Sequence, residues 1–462
     1  MTKKLPVWRK IGYGLGDLGG NLVYQPPWLF LLFYLTDVFG ISPATAGLIM
    51  LSAKLWDGIF DPFFGYYSDK VHTRWGSKRP FLLWFAIPFG LAFAMLFYGP
   101  ALPANIKPVY AAITYTLLCT MISVINIPYT SLTAAMTTSS EERNSITVYR
   151  MILSTVGMIL ASAAFTPLVE YFGNGLAGYR SVGMIFGFSA AVLILICFLT
   201  VKESTNTNVH QRFTFRQVWK VLVVNKPYQR FVSATFLQFT AIGILCNAVN
   251  YYARYVFWQQ SDSFFGWQMT SESFKSIGFL AIFLMTIIFM PLAAKISAKF
   301  GKLFWMRWGT LYLALNFFIL IFFDQLHSVC LILILLNAGI GWTAVTLNPW
   351  SMLPDTVEYS EWKTGIRCDG LLFGIFNMLF KISAAIAGVA CGFALEIGGY
   401  IPNQAQSYSS LITIKLLIGV IPPLLLIIAF FIMRKYPISA ALHRQMVTDI
   451  NERKRAAKQE NC

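Results

Sequence analysis

The sequence predicts an all-α polytopic membrane protein of twelve transmembrane helices, arranged as two pseudo-symmetric six-helix bundles. Three observations carry this: a charge density too low for a water-facing surface, twelve apolar stretches of spanning length, and basic residues in alternate loops. Of 462 residues, 56% are hydrophobic and 12% charged, with a mean hydropathy of +0.60. Soluble domains carry roughly 25% charged residues, so the bilayer is the solvent for most of this chain.

Spanning the hydrocarbon takes about 20 apolar residues. Such segments lie near 11–36, 43–67, 80–100, 107–133, 149–172, 180–201, 230–256, 273–297, 303–323, 327–352, 369–396 and 409–434. A β-barrel is excluded, because its strands would alternate polar and apolar over about ten residues. The short basic N-terminus lacks a small-residue cleavage site, so no signal peptide is expected.

The net charge of +16 suggests a polyanionic partner, but its distribution reports topology instead. Lys3, Lys4, Arg9 and Lys10 precede the first span, and Lys70, Arg74, Lys78 and Arg79 follow the second. Lys202, Arg212, Arg216, Lys220, Lys226 and Arg230 follow the sixth, while Lys295, Lys299, Lys302 and Arg307 surround the link after the eighth. Arg434, Lys435, Arg444, Arg453, Lys454, Arg455 and Lys458 end the chain. The intervening loops hold little beyond Lys107, Arg180, Arg254 and Lys275. By the positive-inside rule both termini are cytoplasmic, which places the chain in a bacterial inner membrane with no nucleic-acid partner. Seven scattered cysteines (Cys119, Cys197, Cys246, Cys330, Cys368, Cys391 and Cys462) and four histidines form no metal-type spacing.

The longest hydrophilic stretch, 202–229, divides residues 1–201 from 230–434 and leaves a tail at 435–462. After the second span the chain reads Lys70-Val-His-Thr-Arg74-Trp75-Gly76, and after the eighth Lys295-Ile-Ser-Ala-Lys299-Phe300-Gly301. Basic, basic, aromatic and glycine recur at equal offsets six spans later, which points to duplication. Two six-helix halves around a midplane site is the major facilitator architecture. Gly65-Tyr-Tyr-Ser-Asp69-Lys70 resembles that superfamily's loop between helices 2 and 3, where Asp and Lys pair across a gate.

Deep charges cost roughly 2.5–3.5 kcal/mol each and therefore read as functional. The second span carries Lys54, Asp57 and Asp61 at i, i+3 and i+7, on one helical face. A cation or a proton must relieve the repulsion of the two carboxylates. The bland alternative, a Lys54–Asp57 bridge that only staples helices, leaves Asp61 unexplained. Arg150 and Lys381 occupy corresponding places in the two halves and are the cations expected to oppose those carboxylates. Asp17 lies within a small-residue run, Gly14-Leu-Gly16-Asp17-Leu-Gly19-Gly20, and either lines the cavity or sits near the cytoplasmic interface. Tyr24, Trp28, Tyr129 and Trp342 are placed to stack on a sugar, against the usual fate of aromatics in interfacial belts.

With these residues in view, the chain resembles the glycoside–pentoside–hexuronide:cation symporter family over essentially its whole length. The matching segments are Gly12-Tyr-Gly-Leu-Gly16-Asp17 with Asn21, Tyr34-Leu-Thr36-Asp37-Val-Phe-Gly40, Trp56-Asp57 to Asp61-Pro62 and Arg74-Trp75-Gly76-Ser-Lys78-Arg79-Pro80. They continue through Asn126-Ile-Pro128-Tyr129-Thr-Ser131, Pro354-Asp355-Thr-Val-Glu358-Tyr359, Arg367-Cys368 and Lys381. The resemblance implies coupling roles for Asp57 and Asp61, a charge-partner role for Lys381, and cavity roles for Arg150 and Lys54. It also implies sugar contacts at Asn21 and Asn126, where the family's melibiose permeases carry acidic residues, so hydroxyl recognition differs here. Thr130 falls where those permeases place a stacking tryptophan. Phe60 falls where the sodium-using relatives offer an amide oxygen, which favours a proton over sodium as the coupling ion. The expected partners are a small sugar, the coupling cation and the bilayer. No cofactor and no obligate protein partner is expected.

Two other functions compete with this reading. Asp57-x-x-x-Asp61 has the spacing by which intramembrane prenyltransferases hold magnesium and a diphosphate, but the eighth span from Phe274 to Ser297 offers no second acidic motif. A lipid or nucleoside transporter on the same fold would have no use for the helix 2 pair. Three deep cations would suit an acidic sugar unless carboxylates already neutralise them. Glycosides, pentosides and acidic sugars therefore all stay open.

Overall fold

The computed structural model describes residues 5–71, 73–137, 140–203, 222–256, 263–264, 267–268, 270–321, 328–365 and 369–460. Lys3, Lys4, Arg212, Arg216, Lys220, Arg367, Cys368, Cys462 and the Asp69 side chain lie outside the described residues, as does 204–221 of the central hydrophilic stretch.

Among the described residues, twelve long helical segments coincide with the twelve expected spans. The first half contains α1 (Val7–Phe33), prolonged by a π-helical turn (Tyr34–Val38), then α2 (Pro43–Lys70), α3 (Arg79–Tyr98) and α4 (Lys107–Met136). Its fifth span is α5 (Ser140–Ala163) with the short α6 (Phe165–Tyr171), and its sixth is α7 (Gly175–Thr200). The second half contains α8 (Lys226–Tyr251) with its π turn (Tyr252–Val256), α9 (Ser271–Phe300), α10 (Lys302–Ile319), α11 (Ser328–Thr364) and α12 (Asp369–Ile397). Its last span is split into α13 (Tyr408–Gly419) and α14 (Ile421–Arg434). A two-residue ladder, β1 (Ser263–Phe264) with β2 (Trp267–Gln268), precedes α9. The tail forms α15 (Ala440–Glu460), and Trp362 of α11 donates to its Asp449 at 2.8 Å.

Among the described residues nine of these segments are apolar and long enough to span by composition alone. The three that fall short are α1, α2 and α10. They carry Lys10 and Asp17, then Lys54, Asp57 and Asp61, then Lys302 and Arg307. Helix α11 runs twelve residues past its expected end at 352, with Pro349 and Pro354 inside it.

The packing repeats with a period of six spans. In the first half α1 packs on α5 and α7, α2 on α4, and α3 on α4 and α7. In the second, α8 packs on α12 and α14, α9 on α11, and α10 on α11 and α14. The halves meet most extensively along α2 and α12. Glycine is required there: a Cβ at Gly392 would lie 2.2 Å from the Pro43 carbonyl oxygen, and one at Gly47 2.9 Å from Val389 Cα. Small residues let helix backbones approach this closely.

Hydrogen bonds joining the halves gather at the face opposite the termini. Asp37 at the end of α1 accepts from Tyr400 (2.6 Å) and from Tyr255, and its carbonyl accepts from Asn403 (2.7 Å). Burial pushes the Tyr400 hydroxyl up from its ordinary value, so it stays a proton donor. Thr36 bonds Tyr251 at 2.8 Å, and Glu396 accepts from the Ala44 amide at 2.9 Å. At the terminal face, several contacts among the described residues lie within one half. Lys10 pairs with Glu142 (2.9 Å) and Lys302 with Asp355 (2.8 Å). Glu203 accepts from the Ser77, Lys78 and Arg79 amides that open α3. Side-chain exposure along α2 rises toward the terminal face, from 1% at Asp57 to 29% at Asp61. The molecule is closed at the far face and open toward the terminal one.

Candidate functional site

Four helices send one face each into a cavity of about 480 Å³ between the halves. Asp17, Gly20, Asn21 and Tyr24 line it from α1, at i, i+3, i+4 and i+7, the spacing of a single helical face. Asp57 and Asp61 enter from α2, Ser123, Asn126, Ile127 and Thr130 from α4, and Asn377, Phe380 and Lys381 from α12. Trp350 of α11 and Phe89 of α3 complete the wall.

Two ion-pair clusters occupy this wall. In the first, Lys381 of the second half reaches across to Asp57 of the first at 3.0 Å and also pairs with Asp61. Asp57 accepts from Ser123 at 2.6 Å, and Lys54 stands 3.8 Å away. Asp61 Oδ1 is buried with no hydrogen-bond partner among the described residues. In the second cluster, Arg150 of α5 grips Asp17 with two nitrogens, at 2.7 and 3.2 Å. The Tyr129 hydroxyl donates to the same carboxylate at 2.7 Å, and the Arg150 guanidinium lies 4.9 Å from the Tyr129 ring centroid. Asn21 donates to the Asp17 carbonyl and to Ser154, both at 2.9 Å. Bidentate Arg–carboxylate pairs are among the stronger charge-assisted contacts.

The structure corrects the expected roles of Arg150 and Trp342 and places three other residues singled out in the sequence. Arg150 does not oppose the helix 2 carboxylates, because Asp17 in its own half takes the Nε–Nη2 edge of the guanidinium and Thr133 accepts from Nη1 at 3.1 Å. Trp342 is 3% exposed and packs edge-on against Phe283 at 6.1 Å, inside the second-half core, so it is no stacking platform. Trp28 lines a separate cavity of about 20 Å³ with Tyr24, Lys54, Tyr115 and Lys381. Phe60 is stacked in a row between Trp56 (6.1 Å) and Phe64 (5.5 Å). Lys70 of the gate-like loop sits 4.1 Å from the Tyr66 ring centroid.

Sequence reading missed Ser123, Trp350, Asn377 and Phe380. Ser123 lies three residues before Asn126, and Asn377 four before Lys381, so helical periodicity from the chosen residues held that signal. Trp350 carried none. Among the described residues, the side chains grouped as metal ligands would be are Asp355, Glu358 and His443, at the terminal face. There the Lys302 ammonium already contacts both Asp355 oxygens, at 2.8 and 2.9 Å.

Comparison with known proteins fits this geometry. Residues 12–440 match the family described as MFS/sugar transport protein. The chain belongs to that family. It is 31% identical over 421 residues to the isoprimeverose transporter of Lactiplantibacillus pentosus, covering 90% of this chain and 85% of the relative. It is 30% identical over 459 residues to the glucuronide carrier protein homolog of Escherichia coli (strain K12), covering 98% and 97%. Among solved structures, a bacterial homologue of the human drug peptide transporters superposes with a TM-score of 0.68 over 95% of this chain and 99% of that one. At 13% identity that likeness speaks for the fold alone. This member of the glycoside:cation symporter group is thus a multi-pass membrane transporter.

Proposed function

We propose that the protein is a secondary active symporter that imports a neutral glycoside or pentoside together with a proton. The observation that carries this is Lys381 of the second half bridging Asp57 and Asp61 of the first. An ion pair spanning two moving bodies is a coupling element, because whatever neutralises the carboxylates also unfastens the bodies. A proton arriving on Asp61 converts its carboxylate to a carboxyl, and the Lys381 ammonium is released from that partner. The halves then rock about the midplane, and reciprocal linkage makes proton and sugar each favour the other's binding.

Proton coupling is supported by Phe60, whose stacked ring offers no oxygen beside the two aspartates, whereas sodium is a hard cation that takes oxygen ligands. A neutral sugar is supported by charge balance. Lys54, Lys381 and Arg150 face Asp57, Asp61 and Asp17, and the guanidinium best suited to a uronide is held by Asp17. The amides of Asn126 and Asn377 both donate and accept, as sugar hydroxyls do, Asn21 offers its Oδ1 as an acceptor because Asp17 and Ser154 take both its hydrogens, and Trp350 and Phe380 offer apolar faces. The basic residues of the terminal face support a cytoplasmic side there, with the cavity opening inward from a bacterial inner membrane.

The test is external pH in de-energised cells in sodium-free buffer, during pulses from a panel of glycosides, pentosides and uronides. Alkalinisation with one neutral sugar, absent in Asp61→Asn, is expected. Sugar entry only after sodium is added would overturn proton coupling, and alkalinisation with a uronide alone would overturn the neutral substrate.

A further inference from the structure

Two ammonium groups approach one oxygen of Asp57. Lys381 Nζ lies 3.0 Å from Asp57 Oδ2, and Lys54 Nζ lies 3.8 Å from the same atom. They differ in which body carries them. Lys54 is on α2 itself, three residues before Asp57, whereas Lys381 belongs to α12 in the opposite half. Lys54 has no closer carboxylate among the described residues. Its side chain is 12% exposed, and its ammonium lies 5.8 Å from the ring centroids of both Tyr24 and Tyr115. Aromatic faces hold a cation weakly, by roughly 0.5–2 kcal/mol, far less than a buried carboxylate does. The cavity of about 20 Å³ between Lys54 and Lys381 leaves room for the ammonium to shift.

We infer that Lys54 is the stand-by countercharge of Asp57: it closes onto Oδ2 when Lys381 departs with the second half, and so keeps Asp57 ionised throughout the cycle. The inference rests on the symport reading above. Asp57 is 1% exposed, and a carboxylate buried that deeply without a cation takes up a proton. Ser123, its other partner, donates one hydrogen bond and supplies no charge. With Lys54 in place, one carboxylate of the pair is proton-free and only Asp61 loads. Without Lys54, the rocking step strips Asp57 of both ammoniums and a second proton enters with the first. Lys54 is thus a positioning residue that sets the number of protons per sugar.

Purified protein in liposomes, with sugar and proton fluxes recorded together, reads that number directly. The unaltered chain is expected to move one proton per sugar at every external pH. Lys54→Met is expected to approach two in acid, with the pH profile of uptake shifted to alkaline, and Lys54→Arg to restore one. An unchanged ratio and an unchanged profile in Lys54→Met would overturn the inference and leave Lys54 a structural side chain. A melting cycle with Lys54→Met, Lys381→Met and the double variant needs no transport. Because both ammoniums serve one oxygen, the double variant is expected to melt lower than the two single shifts add up to, and strict additivity would refute the shared role. If no sugar drives protons through the unaltered chain, the symport reading fails while the melting cycle still decides Lys54.

Discussion

The two ion-pair clusters in the cavity wall are alike in chemistry and opposite in mechanics. Arg150 and Asp17 both belong to the first half, so their bidentate grip travels as one piece when the halves rock. Lys381 and the Asp57–Asp61 pair sit on different halves, so the proposed rocking would part them. The proposal of coupling therefore rests not on interaction strength, since the Arg150–Asp17 contact is the better formed of the two, but on which half carries each partner.

The sharpest way to break this comparison is Asp61→Asn. Removing that charge is expected to abolish accumulation against a gradient completely while sugar exchange at equal concentrations continues, as isotope counterflow will read. Next in size is Asp17→Asn, which leaves Arg150 buried without its anion at a cost of about 3–5 kcal/mol. That variant is expected to lose thermal stability and sugar affinity, yet to keep its proton-to-sugar ratio. A changed ratio would place the second cluster in the coupling machinery after all.

A third test moves to the far face, where hydrogen bonds converging on Asp37 join the halves. Asp37→Ala removes the acceptor for Tyr255, Tyr400 and Thr36, and groups left so cost roughly 1–3 kcal/mol each in the closed state. The equilibrium is expected to shift toward the externally open form by about a hundredfold or more, three such groups costing about 3 kcal/mol at least and each 1.4 kcal/mol being one factor of ten. Labelling of an Asn126→Cys reporter by a membrane-impermeant thiol reagent from outside measures it, and unchanged labelling would remove Asp37 from the gate. The smallest effect is predicted for Trp342→Phe, a core truncation worth about 1–2 kcal/mol. A melting shift with unaltered sugar affinity is expected, and lost affinity would return Trp342 to the cavity.

Much of the fold was legible because the membrane enforces it. Each span must satisfy its own backbone hydrogen bonds and must be about 20 residues long, so α3, α4, α7 and α9 announced themselves by apolarity. The cost of a buried charge singled out Lys54, Asp57, Asp61, Arg150 and Lys381 before any geometry was known. Pairing was the point of failure. Arg150 was matched to the wrong carboxylates, because the sequence says that a guanidinium is deep and not which carboxylate within reach it finds. Trp342 misled for a related reason: an aromatic residue in a span faces lipid, core or cavity with equal local logic, and Phe283, 59 residues earlier in the chain, decides which. Ser123 looked like any helix hydroxyl until α4 packed against α2.

By itself, then, the sequence determined the spans, and it drew attention to the basic loops, the repeated motif and the deep charges from which the proposal is built. These follow from the bilayer's price for polar groups, which acts on each segment separately. Only the tertiary structure decided that Lys381 crosses between the halves, that Arg150 stays within one, and that Lys54 and Lys381 converge on one oxygen of Asp57. Those are distances between helices far apart in the chain, set by where α2 and α12 cross at Gly47 and Gly392.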